Sequence, residues 1–213
     1  MRKPGAAALA ALPPAAAACL RAAGPGLRAA VKKDPALFSK NIKALLSAAA
    51  AALGCRPEEA LFLTGFEAGN RTPGRLDAAL AELRAAVFLA SEGFNEIRAV
   101  PRAVGKTADF SAALGAKKYS FEVRWVSGGF GEGAEKRLAA KGLKKAAQVR
   151  AAVKKTGGPG VLVFVAEPLG FDPFRRSSAL EAAARAVHAG LGGKLHIVLI
   201  SGTGTAVFPS WER

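Results

Sequence analysis

The 213-residue chain reads as an α/β protein with a mixed central β-sheet flanked by helices and an N-terminal helical segment. Three observations predict this class. Apolar residues recur at helical spacing through the first ninety positions, and strand-like alternation begins only after Gly93. Two continuous apolar runs, 161–165 (VLVFV) and 195–200 (LHIVLI), have the composition of strands covered on both faces, as in a parallel arrangement. Between and before them stand helix patterns, giving the order helix, three strands, helix, strand, helix, strand.

Each element has a local cause. Asp34-Pro35 is a helix start, an N-cap carboxylate followed by a proline at the first helical position. Leu37, Phe38, Ile42, Leu45 and Leu46 then form one apolar stripe, and Gly54 stops the helix. Pro57-Glu58-Glu59 opens a short helix that ends near Gly65. The turn-rich stretch 67–74 (EAGNRTPG) divides residues 1–70, an alanine-rich basic helical region, from 71–213, the α/β domain. Leu76, Leu80, Leu83 and Val87 make the face of the next helix, which Gly93 closes. Residues 94–100 alternate as a strand, and 101–105 turn the chain. Residues 107–114 and 118–126 are two strands joined tightly at Gly115-Ala116, a hairpin. A glycine-rich loop over 126–133 leads into a long helix over 134–155, apolar inside and lysine-rich outside. Ser178-x-x-Glu181 is a capping box for a helix ending near Gly190, and 206–208 is a short edge strand.

Composition narrows the function classes. The chain carries 31 basic and 16 acidic side chains, net +15, and 49 of its residues are alanine. Two cysteines, Cys19 and Cys55, exclude a disulfide scaffold and make a structural zinc site poorly supplied. No run of 18 large apolar residues is present, so no membrane span is expected. Met1-Arg2-Lys3 before an alanine-rich stretch imitates a signal sequence, but Pro13-Pro14 interrupts it, and the expected location is the cytoplasm. The charge is uneven: +6 over residues 1–60, −1 over 61–100, +9 over 101–160 and +1 beyond. A field of this size attracts phosphate backbones or anionic membrane.

The positive excess surrounds the hairpin, where the chemistry-bearing residues stand. Asp109 opens its first strand, and Glu122-Val123-Arg124 alternates on the second, which places Glu122 and Arg124 on one face. Two carboxylates brought to one point repel, and a hard divalent cation is the usual remedy. A metal beside a fixed cation is equipment for phosphodiester hydrolysis. The pattern Asp109…Glu122-x-Arg124, with Glu82 on the preceding helix and Gln148 on the following one, resembles the PD-(D/E)XK nuclease superfamily over about Leu76 to Ile200. That resemblance implies a restriction-endonuclease-like αβββαβ core and Mg2+ (or Mn2+) held by Asp109 and Glu122. It also implies Arg124 in the place of the motif lysine, Glu82 as the auxiliary acid, and Gln148 as the polar residue of the next helix. Ala108 stands where the motif has proline. Arginine stays protonated, so it can stabilise a phosphorane but cannot act as a base.

Lys136, Arg137, Lys141, Lys144, Lys145 and Arg150 give the long helix a basic surface suited to a phosphate backbone. The expected activity is Mg-dependent cleavage of DNA, the alternative a catalytically inactive nucleic-acid-binding module on the same fold. The amino-terminal helices offer a homodimer contact or extra DNA contacts. Trp125 and Tyr119 have ring faces for base stacking, against the simpler reading as core or rim packing. His188 and His196 fit core positions better than ligand positions, and 201–205 (SGTGT) fits a turn before an edge strand better than a phosphate nest.

Overall fold

The computed structural model describes residues 12–67, 69–70, 72–101, 108–131, 133–167, 169 and 175–211. Among the described residues, the α-helices α1 (Pro14–Cys19), α2 (Pro25–Lys33), α3 (Pro35–Leu53) and α4 (Pro57–Leu63) come first. The α/β part follows as α5 (Arg75–Ser91), β1 (Asn95–Ala99), β2 (Phe110–Leu114), β3 (Lys117–Trp125), α6 (Ala134–Thr156), β4 (Gly160–Val165), α7 (Ser178–Gly190), β5 (His196–Ser201) and β6 (Gly204–Phe208). The six strands form one sheet in the order β1-β2-β3-β4-β5-β6. β2 is antiparallel to both neighbours, β3, β4 and β5 run parallel, and β6 is antiparallel to β5.

The expected elements are present with small shifts. Asp34 caps α3, its Oδ1 accepting from Leu37 N–H at 2.9 Å, and Gly54 ends it in the left-handed region at φ +66°. The hairpin turns at Gly115 (φ +59°), with Leu114 paired to Lys117. The cap of α7 differs: Ser177, not Ser178, is the N-cap, accepting from Leu180 N–H at 3.4 Å, so the helix begins one residue earlier than expected. The expected turn at 101–105 lies mostly outside the described residues, as do the first eleven positions and the start of the strand expected from Thr107.

The sheet separates two helical layers. Phe121, Val123, Val161, Val163, Val198 and Ile200 share a core with Ala81, Ala85, Phe88 and Leu89 of α5. Leu162, Phe164, Ile197 and Leu199 point the other way, into a core with Leu138, Ala146 and Val149 of α6 and Leu180, Ala184 and Val187 of α7. This is why β4 and β5 are buried along their whole length and read as unbroken apolar runs. Gly142 lets α6 lie close, because a Cβ there would stand 2.9 Å from Leu191 and 3.5 Å from Leu162.

The other stripe of α5, Leu76, Ala79, Leu80 and Leu83, packs into a third core with Leu27, Val31, Phe38, Ile42, Leu46 and Leu61 of the amino-terminal helices. Helix α3 is long and apolar enough to cross a membrane by length and composition. Its buried residues Phe38, Ile42, Leu46, Ala49 and Ala50 belong to this third core, and Lys40 and Lys43 stand exposed on it. Arg84, fully buried on α5, donates to Ala166 O (3.3 Å) and Ser201 O (2.9 Å), tying the helix to the ends of β4 and β5. Burial pushes its guanidinium down to about 9, opposed by the Glu167 carboxylate.

One contact fastens the amino-terminal helices to the sheet. Gly24 N–H donates to Asp77 Oδ2 at 2.6 Å and Gly74 N–H to Ala22 O at 3.0 Å. Both glycines face the Trp125 ring, where a Cβ at either would come within 3.0 Å of ring carbons. Burial raises the Asp77 carboxyl, while the Gly24 hydrogen bond and Arg28 pull it back. A raised folded-state value means the native state holds its proton more tightly than the unfolded chain. Stability is therefore lost as pH rises from the ordinary carboxylate range through the raised value. Asp77→Asn keeps an acceptor for Gly24 and removes the buried charge. We expect it to raise Tm by about 2–4 °C at pH 7 in thermal denaturation, with the gain shrinking toward pH 4; an equal gain at both pH values contradicts the assignment.

Candidate functional site

Strand β3 runs beyond the reach of β2. The β2–β3 ladder ends at Phe110↔Phe121, and among the described residues Glu122 and Arg124 have strand partners on the β4 side, at Leu162 and Phe164. Asp109 lies just past that last pair. Its N–H donates to Phe121 O at 2.8 Å, one step off the ladder register, and its Oδ2 accepts from Val123 N–H at 2.8 Å. The Asp109 side chain thus supplies an acceptor to the Val123 N–H beyond the end of the ladder.

Alternation then sorts the side chains. Tyr119, Phe121 and Val123 enter the core under α5, and Glu122 and Arg124 project to the α6 side. Glu122 is 1% exposed, and a buried carboxylate must be compensated. Arg124 Nη2 donates to its Oε1 at 2.5 Å, Lys145 Nζ lies 3.3 Å from the same oxygen, and Gln148 Nε2 donates to Oε2 at 2.7 Å. Lys145 Nζ also donates to Gln148 Oε1 at 2.7 Å, closing a network of four side chains from one strand and one helix. The i,i+3 spacing of Lys145 and Gln148 puts both on the α6 face that looks down on β3. Among the described residues, Arg124 Nε is buried with no hydrogen-bond partner, a state it shares with Arg84 Nε.

The structure brings Glu122, Arg124 and Gln148 together, and it adds Lys145. By sequence Lys145 is one of the helix cations and stands outside the expected site, although its position three residues before Gln148 is the available signal. Asp109 stands beside the cluster, joined to it through the main chain of Val123. Glu82 sits on α5 across the sheet, with Arg75 Nη1 3.6 Å from its Oε1. Lys136, Arg137, Lys141, Lys144 and Arg150 are exposed along α6, while Lys145 is only partly exposed. Tyr119 is fully buried, edge-on to Phe94 and Trp211, and Trp125 lies against Gly24 and Gly74, so both rings pack. His188 Nδ1 meets Leu195 O at 2.7 Å from a half-buried position rather than the expected core one, and His196, buried, meets Pro209 O through Nδ1 at 3.0 Å. Residues 201–204 make the β5–β6 turn, with Ser201 Oγ against Thr203 Oγ1 at 2.7 Å.

The implied divalent cation can be tested against these donors. Such an ion needs anionic oxygens facing it. Oε1 of Glu122 already faces two cations and Oε2 an amide donor, and an Asp109 oxygen holds the Val123 N–H. Among the described residues, no group of three acids, histidines or cysteines could hold a metal ion. As arranged, the donor set does not fit a divalent cation. Comparison with known proteins finds no match among family models, curated proteins or solved structures.

Removing the charge of Glu122 leaves Arg124 and Lys145 facing each other across a half-buried space. Glu122→Gln is expected to lower stability by about 3 kcal/mol in denaturant titration. An unchanged midpoint would mean that the cluster is not mutually compensated.

Proposed function

We propose that this chain is a nucleic-acid-binding module, with DNA the first candidate, built on a restriction-endonuclease-like core. The observation that carries the reading is the convergence of Arg124 and Lys145 on buried Glu122, at one side of a helix whose exposed face is lined with cations. The element order α5-β1-β2-β3-α6-β4 supports the core assignment, since its first three strands are antiparallel neighbours and the fourth returns parallel to the third. Phosphate recognition follows from the donors. A guanidinium held by a carboxylate is oriented before the ligand arrives, and an ammonium beside it adds a second charge at little entropic cost. Lys141 stands one turn before Lys145 and Arg137 one turn before Lys141, roughly 6 Å apart along the helix. A sugar-phosphate strand lying along α6 therefore meets a cation each turn as it reaches the cluster.

Binding of this kind releases counterions and weakens steeply with salt. Fluorescence anisotropy with a duplex oligonucleotide tests it. The slope of log affinity against log salt is expected to be strongly negative, and Lys141→Ala with Lys144→Ala to make it shallower by about 2. Affinity indifferent to salt would contradict the reading.

A second reading, Mg2+- or Mn2+-dependent cleavage of DNA with Asp109 and Glu122 as ligands once Arg124 and Lys145 give way, is favoured by one observation: Asp109 Oδ2 accepts from Val123 N–H, which holds this acid beside the strand that carries Glu122. Plasmid nicking by the wild-type protein with Mg2+, absent in Asp109→Ala, would establish it. Identical traces from the two proteins would remove it.

A further inference from the structure

We propose that the Lys145 ammonium occupies the place of a divalent cation beside Glu122, so that the site meets nucleic-acid phosphate without metal. The proposal rests on the nucleic-acid reading above. Its argument is charge and position. Glu122 sits at 1% exposure, in a setting where an uncompensated carboxylate is strongly disfavoured, so some cation must accompany it. Arg124 is one, fixed on the same strand face at 2.5 Å. The second is Lys145, 3.3 Å from the same Oε1 and held by Gln148 Oε1 at 2.7 Å. Gln148 in turn donates to the other carboxylate oxygen, so the amide bridges Lys145 and Glu122 and fixes the ammonium against the acid. The side chains of Lys145 and Arg124 remain 29% and 35% exposed, so an anion in solution can reach them while Glu122 stays covered.

The acid nearest to this cluster along the main chain, Asp109, already holds the Val123 N–H. A dication entering beside Glu122 would stand next to two fixed positive charges, Arg124 and Lys145. An ammonium tethered to α6 thus excludes a free ion by position and by charge. Without Lys145, one of the two cations at Glu122 Oε1 is gone and the repulsion of a divalent ion falls.

Two measurements on the full chain separate this proposal from the reading beneath it. In the first, Mn2+ is titrated calorimetrically into metal-free protein with no nucleic acid present. Wild type is expected to show no saturable site. Lys145→Met is expected to gain a saturable site, which a further Glu122→Gln removes. In the second, duplex binding is followed by anisotropy in EDTA and in Mg2+. Wild type is expected to bind equally in both. Lys145→Met is expected to lose about tenfold more affinity in EDTA than the exposed-site control Lys144→Met, and to recover part of it with Mg2+.

Saturable Mn2+ binding by wild type that Glu122→Gln abolishes would overturn the proposal, and so would duplex binding by wild type that needs Mg2+. Those two arms use wild type and the Gln variant, so they stand even if Lys145→Met does not fold. If wild type binds no nucleic acid in either buffer, the functional reading falls, and the Mn2+ titration still decides whether Lys145 holds the metal's place.

Discussion

A buried carboxylate needs a partner, and at Glu122 that need organises the candidate site. The residue is placed by strand alternation on the α6 side of β3, in the stretch of β3 that β2 does not reach. From there the chain satisfies it three times over, with a guanidinium from the same strand face and an ammonium and an amide from α6. Each of those donors is in turn positioned by something larger. Arg124 keeps its place because β3 pairs with β4 through Trp125, and Lys145 and Gln148 keep theirs because Ala146 and Val149 are sunk into the core beneath α6. Gly142 and Gly160 let that helix approach the sheet closely enough for the contacts to close.

Helix α5 does the corresponding work on the other side. Its two stripes belong to two cores, one shared with the sheet and one with the amino-terminal helices, and Arg84 links it to the ends of β4 and β5. The amino-terminal helices therefore close over α5 and the Trp125 end of β3. The Gly24–Asp77 and Gly74–Ala22 hydrogen bonds, with both glycines against the Trp125 ring, put their docking one residue away from Arg124.

Much of this was legible in the residues before any coordinates. The glycine at 115 with apolar alternation on either side specified the hairpin, and the unbroken apolar runs specified the two-faced burial of β4 and β5, because periodicity and turn chemistry are local signals. Asp34 and Gly54 marked the ends of α3 for the same reason. What local signals do not carry is the rotation of one element against another. Lys144 and Lys145 are neighbours of the same type, yet one is exposed and the other reaches Glu122, a distinction made by how α6 lies on β3. Trp125 was equally open as a stacking platform, and the pocket formed by Gly24 and Gly74 comes from residues fifty and a hundred positions away. Glu82 matched a motif by spacing along the chain, while its partner Arg75 follows from the helix to which both belong.

The same cluster thus joins a fold-level demand, the compensation of a buried acid, to the cationic helix face that we propose holds phosphate. The most direct test is where nucleic acid touches the protein. Hydrogen–deuterium exchange of the full chain, with and without a duplex oligonucleotide in metal-free buffer, maps that contact. The account predicts that added protection concentrates in residues 122–125 of β3 and 137–148 of α6. Protection confined to the amino-terminal helices, or appearing at β3 and α6 only when Mg2+ is added, would contradict it.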